Sequence, residues 1–262
     1  MSDLLNHLPR IAILVPTLGN REKYLEECVR SIKASHDAYL VVISPHRLVL
    51  SPELTHLIDE FLIEEGKGLA AAINQAAFGL PQTVKYFNWL GDDDLLTSDS
   101  LAISQRVLDE NHGASAVYGK CEYINSEGSK LGINPSGTWA STLIKFGPNL
   151  IPHPGALISL EVFRQMGGLR TEFNLAFDVD IFIRLQDFGS LIYIPALLGK
   201  FRWHDDSLTV KTRLTSVKEA SKIRQSHLPK ISRRFSLLWE LPVMILTYLA
   251  GWFVHMKNRT SD

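Results

Sequence analysis

Three consecutive carboxylates, Asp92-Asp93-Asp94, close the short apolar run 84–90. Adjacent carboxylates repel, and removing them from water together is unfavourable without a compensating cation. Oxygen donors of this kind suit Mg²⁺ or Mn²⁺, and such an ion can grip a diphosphate by its oxygens. A solvated acidic turn leading into a helix near Ser98 would use the same residues. Lys67, flanked by Gly66 and Gly68, can meet phosphate or stand in solvent. His153, between Pro152 and Pro154, either contacts an acceptor or serves structure. Taken alone, Asp178 reads as a helix N-cap, with Asn174 or Thr171 as caps if the helix begins earlier. His204 taken alone is a surface or structural histidine.

Chemistry at these positions needs a frame. The run 11–16 (IAILVP) reads as a strand buried on both faces, as does 39–44 (YLVVIS). Between them, Leu25, Cys28, Val29 and Ile32 form one helical stripe over 22–35. Pro52 opens a further helix, with Leu54, Leu57 and Ile58 on one face. Residues 61–63 are a short strand or an extension of that helix; 69–77 is Ala-rich and helical; 84–90 is a strand. This alternation predicts a parallel sheet with helices on both faces, whose ligands bind beyond the carboxyl ends of the strands. There 17–21, 44–47 and 91–94 would gather. Further on, the pattern predicts helices over 98–110 and 178–188, and strands near 116–124, 155–160 and 191–194. This is a mixed α+β half that completes the cleft.

The chain has 262 residues, 45% of them hydrophobic, with 27 Lys and Arg against 28 Asp and Glu. That composition fits a domain with a sizeable core and excludes disorder. A net charge of −1 carries no global basic footprint, so no nucleic-acid partner is expected. Two cysteines, Cys28 and Cys121, read as reduced thiols in a cytoplasmic setting, and residues 1–10 show no secretory signal.

Several stretches together resemble the family 2 glycosyltransferases. Val15-Pro16-Thr17 with Asn20-Arg21, Tyr24-Leu25 and Ser31-Ile32 is similar to the family's opening. Residues 68–74, ending in Asn74, are similar to the segment before its acidic motif, and 89–96 (WLGDDDLL) to that motif. His153-Pro154-Gly155-Ala156 and Gly167-Gly168-Leu169 match its acceptor half. Residues 178–185 (DVDIFIRL) match its catalytic helix, and Arg202-Trp203-His204 with Ser207-Leu208-Thr209 its late histidine segment. The resemblance implies a GT-A fold, a nucleotide-sugar donor, a divalent ion (Mn²⁺ or Mg²⁺) and inversion at the sugar carbon. Residue by residue, it implies Asp178 as general base and donor contacts from Pro16, Thr17, Asn20, Arg21, Lys67, Asn74, Asp92 and Asp93. It implies a metal held by Asp94 and His204. His153, Asp180 and Arg202 take acceptor or structural roles, with helix capping favoured for Asp180.

The chain departs from the family in three places. The segment 42–47 lacks the aspartate pair expected after the second strand. Gly91 takes the first acidic position if the motif is aligned by Trp89-Leu90, which makes Asp93 the second acid. Phe177 replaces a glutamate, so the surroundings of Asp178 become more apolar and its pKa should rise.

The implied activity is transfer of a sugar to a saccharide or lipid-linked saccharide, as in cell-surface polysaccharide synthesis. The alternative is a non-catalytic nucleotide-sugar or glycan binding module. A sugar nucleotidyltransferase would need a basic Gly-rich loop after the first strand, and Leu18-Gly19-Asn20-Arg21 is a poor version of one. The expected domain covers 1–228, split into a donor half (11–97) and an acceptor half (98–228). The tail 229–262 is apolar and flanked by basic residues. Over 233–257 it suits an interfacial helix at the cytoplasmic membrane face better than a spanning one; packing on the domain, or on a second subunit of a homo-oligomer, is the alternative.

Overall fold

The apolar run Ile11–Pro16 forms β1. It pairs in parallel with β2 (Tyr39–Ser44) on one side and with β4 (Tyr86–Trp89) on the other, while β2 pairs in parallel with β3 (Glu60–Ile63). The computed structural model describes residues 9–204, 206–207 and 211–259. The expected signal-free stretch 1–10 therefore lies mostly outside the described residues, as do Leu208 and Thr209. Period-2 geometry splits β1 between two apolar layers. Ala12 and Leu14 enter one layer; Ile11, Ile13 and Val15 enter the other.

Helix α1 (Glu22–Ser35) covers the second layer with the expected stripe of Leu25, Cys28, Val29 and Ile32. Helix α2 is only Pro52–Thr55, and Ser51 Oγ caps it by accepting from the Leu54 amide at 3.2 Å. Helix α3 (Leu69–Gly79) lies close to the first layer because Ala70, Ala72, Ala76 and Ala77 are small.

Next come β5 (Leu95–Leu96), α4 (Ser100–Glu110), β6 (Ala114–Ile124), β7 (Lys130–Ile133), α5 (Ala140–Leu143), β8 (Leu157–Ser159), α6 (Leu160–Gln165), α7 (Phe177–Leu185) and β9 (Ser190–Arg202). The single sheet runs β3-β2-β1-β4-β8-β6-β9-β5, with β7 paired to β6. It is parallel through the first four strands, then mixed: β8 is antiparallel to both β4 and β6, and β9 is parallel to β6. The mixed α/β class expected from the pattern is the one observed.

The strand expected near 191–194 extends to Arg202. Pro195 and Gly199 look like breakers, but the β6–β9 register shifts between Tyr118 and Lys120, across from Pro195, so the proline sits in an irregularity. A Cβ on Gly199 would lie 2.7 Å from the Pro154 carbonyl, so the glycine permits close approach. This extension carries Arg202, Trp203 and His204 to the sheet edge. The chain ends in α8 (Arg213–His227), α9 (Lys230–Phe235) and α10 (Leu237–Arg259), with α8 packed on α7 and α10 on α8. Among the described residues, no helix is long and apolar enough to cross a membrane.

Candidate active site

At the carboxyl edge of the parallel strands, the loop after β1 meets the loop after β4. The Thr17 hydroxyl donates to Asp92 Oδ2 at 2.5 Å and accepts the Gly19 amide at 3.0 Å. Arg21, just before α1, bridges two acids. Its Nη2 lies 2.5 Å from Asp92 Oδ1 and its Nη1 lies 2.6 Å from Asp93 Oδ2. Asp93 Oδ2 is also 2.8 Å from His204 Nε2. Three separate segments thus converge and bring Thr17, Arg21, Asp92, Asp93 and His204 together.

Asp94 does not join them. Its carboxylate turns inward, where Oδ1 accepts the Arg202 amide at 3.0 Å. His204 therefore hydrogen-bonds Asp93 and not Asp94, and Asp93 is the second acid when the motif is aligned on Trp89-Leu90. Gly91 fits the same alignment: a Cβ there would lie 2.8 Å from Asp93 Oδ1 and 3.1 Å from Asp94 Oδ2. The three carboxyls titrate differently. Burial raises Asp92, although Thr17 and Arg21 oppose the shift. Burial would also raise Asp93, but His204 and Arg21 outweigh it and hold the group below the usual range. Burial and the neighbouring Asp93 push Asp94 well up.

Among the described residues, no three His, Cys, Asp or Glu side chains gather as a complete metal cage. The Asp93–His204 pair still fits a divalent ion chemically. Mg²⁺ and related ions need only one or two protein ligands when substrate phosphates and water supply the rest.

Arg202 supports this edge from behind. It is 1% exposed. Its guanidinium donates to the Asp93 and Ser126 carbonyls at 2.9 and 3.0 Å, pairs with Glu27 at 2.6 Å and lies 4.4 Å over the Tyr24 ring. Of its two expected roles, the structural one describes these contacts. Between the loops after β1 and β2, a hollow of about 180 Å³ is lined by Gly19, Glu22, Arg47 and Leu48 among others. Gly19 has φ +75° and a Cβ there would meet Leu48 at 2.3 Å, so the turn needs glycine. Asn20 is exposed in this turn, and Pro16 is partly buried at the end of β1.

A second cluster is built around Trp89. Its ring stacks on His153 at 4.4 Å and lies 5.7 Å from Phe177. Asp178 is the next residue. Its Oδ2 accepts from Asn149 Nδ2 at 2.9 Å. Burial pushes the carboxyl up to about 6, against the pull of the Val179 amide and Asn149; the rise expected from Phe177 is in the observed direction. Burial also pushes His153 down to about 3, so it is neutral, and its Nε2 is buried with no hydrogen-bond partner.

Asp180 behaves oppositely. It is salt-bridged to Arg170, lies 3.4 Å from Arg184 and 2.9 Å from His227. Despite its burial, the His227 and Arg170 contacts hold it down at about 2. It does not cap α7, and neither do Asp178, Asn174 or Thr171; the N-cap residue is Ala176, with no side-chain cap. Glu219 of α8 accepts the amides of Asn174, Leu175 and Ala176 at 2.9, 2.6 and 2.8 Å. Asn149 and Glu219 were not visible as site residues in the sequence, because each acts from a segment without a motif.

Two further residues expected as donor contacts, Asn74 and Lys67, have protein partners. Asn74 is fully engaged with Leu169, donating to its carbonyl and accepting its amide, both at 2.8 Å. It ties α3 to the Gly167-Gly168 turn. Lys67 is exposed and pairs with Glu65 at 2.6 Å.

No known protein-family profile matches the sequence, and no curated protein matches it. Solved structures share its fold. S. aureus TarS 1-349 in complex with UDP-GlcNAc aligns with a TM-score of 0.63 at 13% identity, covering 87% of this chain and 70% of that one. The mannosyltransferase PcManGT from Pyrobaculum calidifontis, in complex with GDP-Man and Mn²⁺, aligns with a TM-score of 0.59 at 15% identity, covering 94% and 76%. The chain shares the α/β fold of these proteins.

Proposed function

We propose that this chain is an inverting glycosyltransferase that moves a sugar from a nucleotide-sugar onto a hydroxyl of a saccharide or lipid-linked saccharide. The observation that carries the reading is Asp178: a carboxyl raised to about 6, held by the neutral amides of Val179 and Asn149, beside the strand that leads into the acidic triplet. A group of that pKa is ionised at neutral pH yet basic enough to accept a proton, which suits general-base catalysis. Asp178 takes the proton of the acceptor hydroxyl while its oxygen attacks the anomeric carbon. Attack opposite the departing nucleoside diphosphate inverts the centre.

Thr17 and Arg21 fix the Asp92 and Asp93 carboxylates. Asp93 and His204 would hold the divalent ion, which when bound neutralises charge on the leaving diphosphate. In this reading 11–97 is the donor half of a domain ending near 228, and 98–228 the acceptor half. Nucleotide-sugar complexes on the same fold support the donor class.

The test is a thermal-shift screen of nucleotide-sugars with and without Mn²⁺, followed by assay of nucleoside diphosphate release with acceptors. Ligand at a hundred times its Kd adds about 2.7 kcal/mol of apparent stability. Donor-dependent stabilisation with release is expected. Stabilisation without hydrolysis or transfer would favour the binding-module reading, and no response to any donor would defeat both.

A further inference from the structure

Helix α10 buries the carboxylate of Glu240 and leaves a row of apolar side chains exposed. Glu240 is fully buried against Arg224, itself 2% exposed, with Nε–Oε1 and Nη2–Oε2 at 2.9 and 2.7 Å. Arg213 is wedged between the Trp203 and Tyr248 rings, 5.6 and 5.9 Å from their centroids, and Lys257 donates to the Leu131 carbonyl. Outward, Leu238, Leu241, Ile245, Leu249 and Trp252 recur every three or four residues, each at least 42% exposed. The stripe from Leu238 to Trp252 runs about 21 Å along the helix. An apolar stripe of that length on a surface marks an interaction face.

Charge identifies what covers it. Between 211 and 262 the chain has ten Lys and Arg against three Asp and Glu, leaving 17 against 25 in the first 210 residues. Glu240 and Arg224 neutralise each other in the interior, and Glu219 accepts backbone amides. Lys230, Arg233 and Arg234 are exposed at one end of the stripe, and Lys257 and Arg259 follow at the other. Basic residues at both ends make a second copy a poor partner, since parallel or antiparallel pairing of the stripe would appose like charges. An anionic lipid surface satisfies both features, taking the apolar face into the acyl boundary and the cations among headgroups. The inward Arg224–Glu240 pair holds the helix flat rather than letting it cross.

We propose that α9 and α10 dock this protein on an anionic bilayer surface, with the Leu238–Trp252 face embedded. This stands independently of glycosyl transfer. The experiment is flotation of the full chain with phosphatidylcholine vesicles, with and without phosphatidylglycerol. The chain should float with the anionic vesicles, less so with neutral ones, and more weakly as salt rises. Ile245→Glu with Leu249→Glu should abolish flotation with an unchanged melting temperature, because both side chains are exposed. Lys230→Gln, Arg233→Gln and Arg234→Gln together should lower partitioning roughly a hundredfold on anionic vesicles only. The proposal is overturned if the native chain floats with neither vesicle. It is equally overturned if the chain is a dimer that becomes monomeric in the Glu variant and never binds lipid.

Discussion

Asp178 and Asp180 sit two residues apart on one helix, yet one is raised to about 6 and the other lowered to about 2. Burial pushes both upward. The difference is the company: Asp178 has the Asn149 amide, whereas Asp180 has Arg170, Arg184 and His227. The acidic triplet repeats the lesson. Asp93 meets Arg21 and His204 and is lowered; Asp94 is turned into the core beside other acids and is raised. Cationic neighbours, more than sequence position, decide which of these carboxyls is raised and which is lowered.

The sharpest challenge to this contrast is Asp178→Asn. It should lower turnover by about 10²–10⁴-fold while leaving donor affinity unchanged, measured by initial rates and calorimetry. Undiminished turnover would remove the base. Asp180→Ala should instead act on stability. It strands two arginines, and urea unfolding should show a loss near the lower end of ~3–5 kcal/mol, because Arg170 keeps some contact with water. The pH dependence has a definite sign. A carboxyl lowered to about 2 contributes fully above its ordinary value of 3.8, and that contribution fades as pH falls toward 2.

Activity should show an acidic limb near pH 6, falling as pH drops and Asp178 takes up its proton. Asn149→Ala removes a bond that favours the ionised form, so the limb should move up by roughly 0.7 unit, the equivalent of a ~1 kcal/mol hydrogen bond. Smallest of all is Asp94→Asn. The amide oxygen can still accept the Arg202 N–H, so stability should change by about 1 kcal/mol or less and turnover little. A large loss of turnover would return Asp94 to the reacting site.

The parallel half was legible because β1 and β2 are unbroken apolar runs and α1 shows a clean stripe; each is a local property of the chain. What escaped was non-local. β9 looked broken at Pro195 and Gly199 until the register shift opposite them and the close Pro154 contact explained both. Arg202 is solvated by Glu27 and the carbonyls of Asp93 and Ser126, which lie far from it in sequence. Asn74 has the right identity for a donor contact but is spent on the Leu169 backbone. At the site, residue types announced that acids would face cations. Which acid met which cation depended on how Arg21 and β9 approached, and neither approach is encoded within one segment.

Segregated charge acts before any contact is made. The end of the molecule beyond residue 210 is strongly positive and the remainder strongly negative. Near a negatively charged plane the two ends feel opposite forces over a Debye length of about 8 Å at physiological salt. Tumbling is biased there, so encounters begin with α9 and α10 foremost, and the search for the right attitude shortens from three rotations to a spin about a single axis.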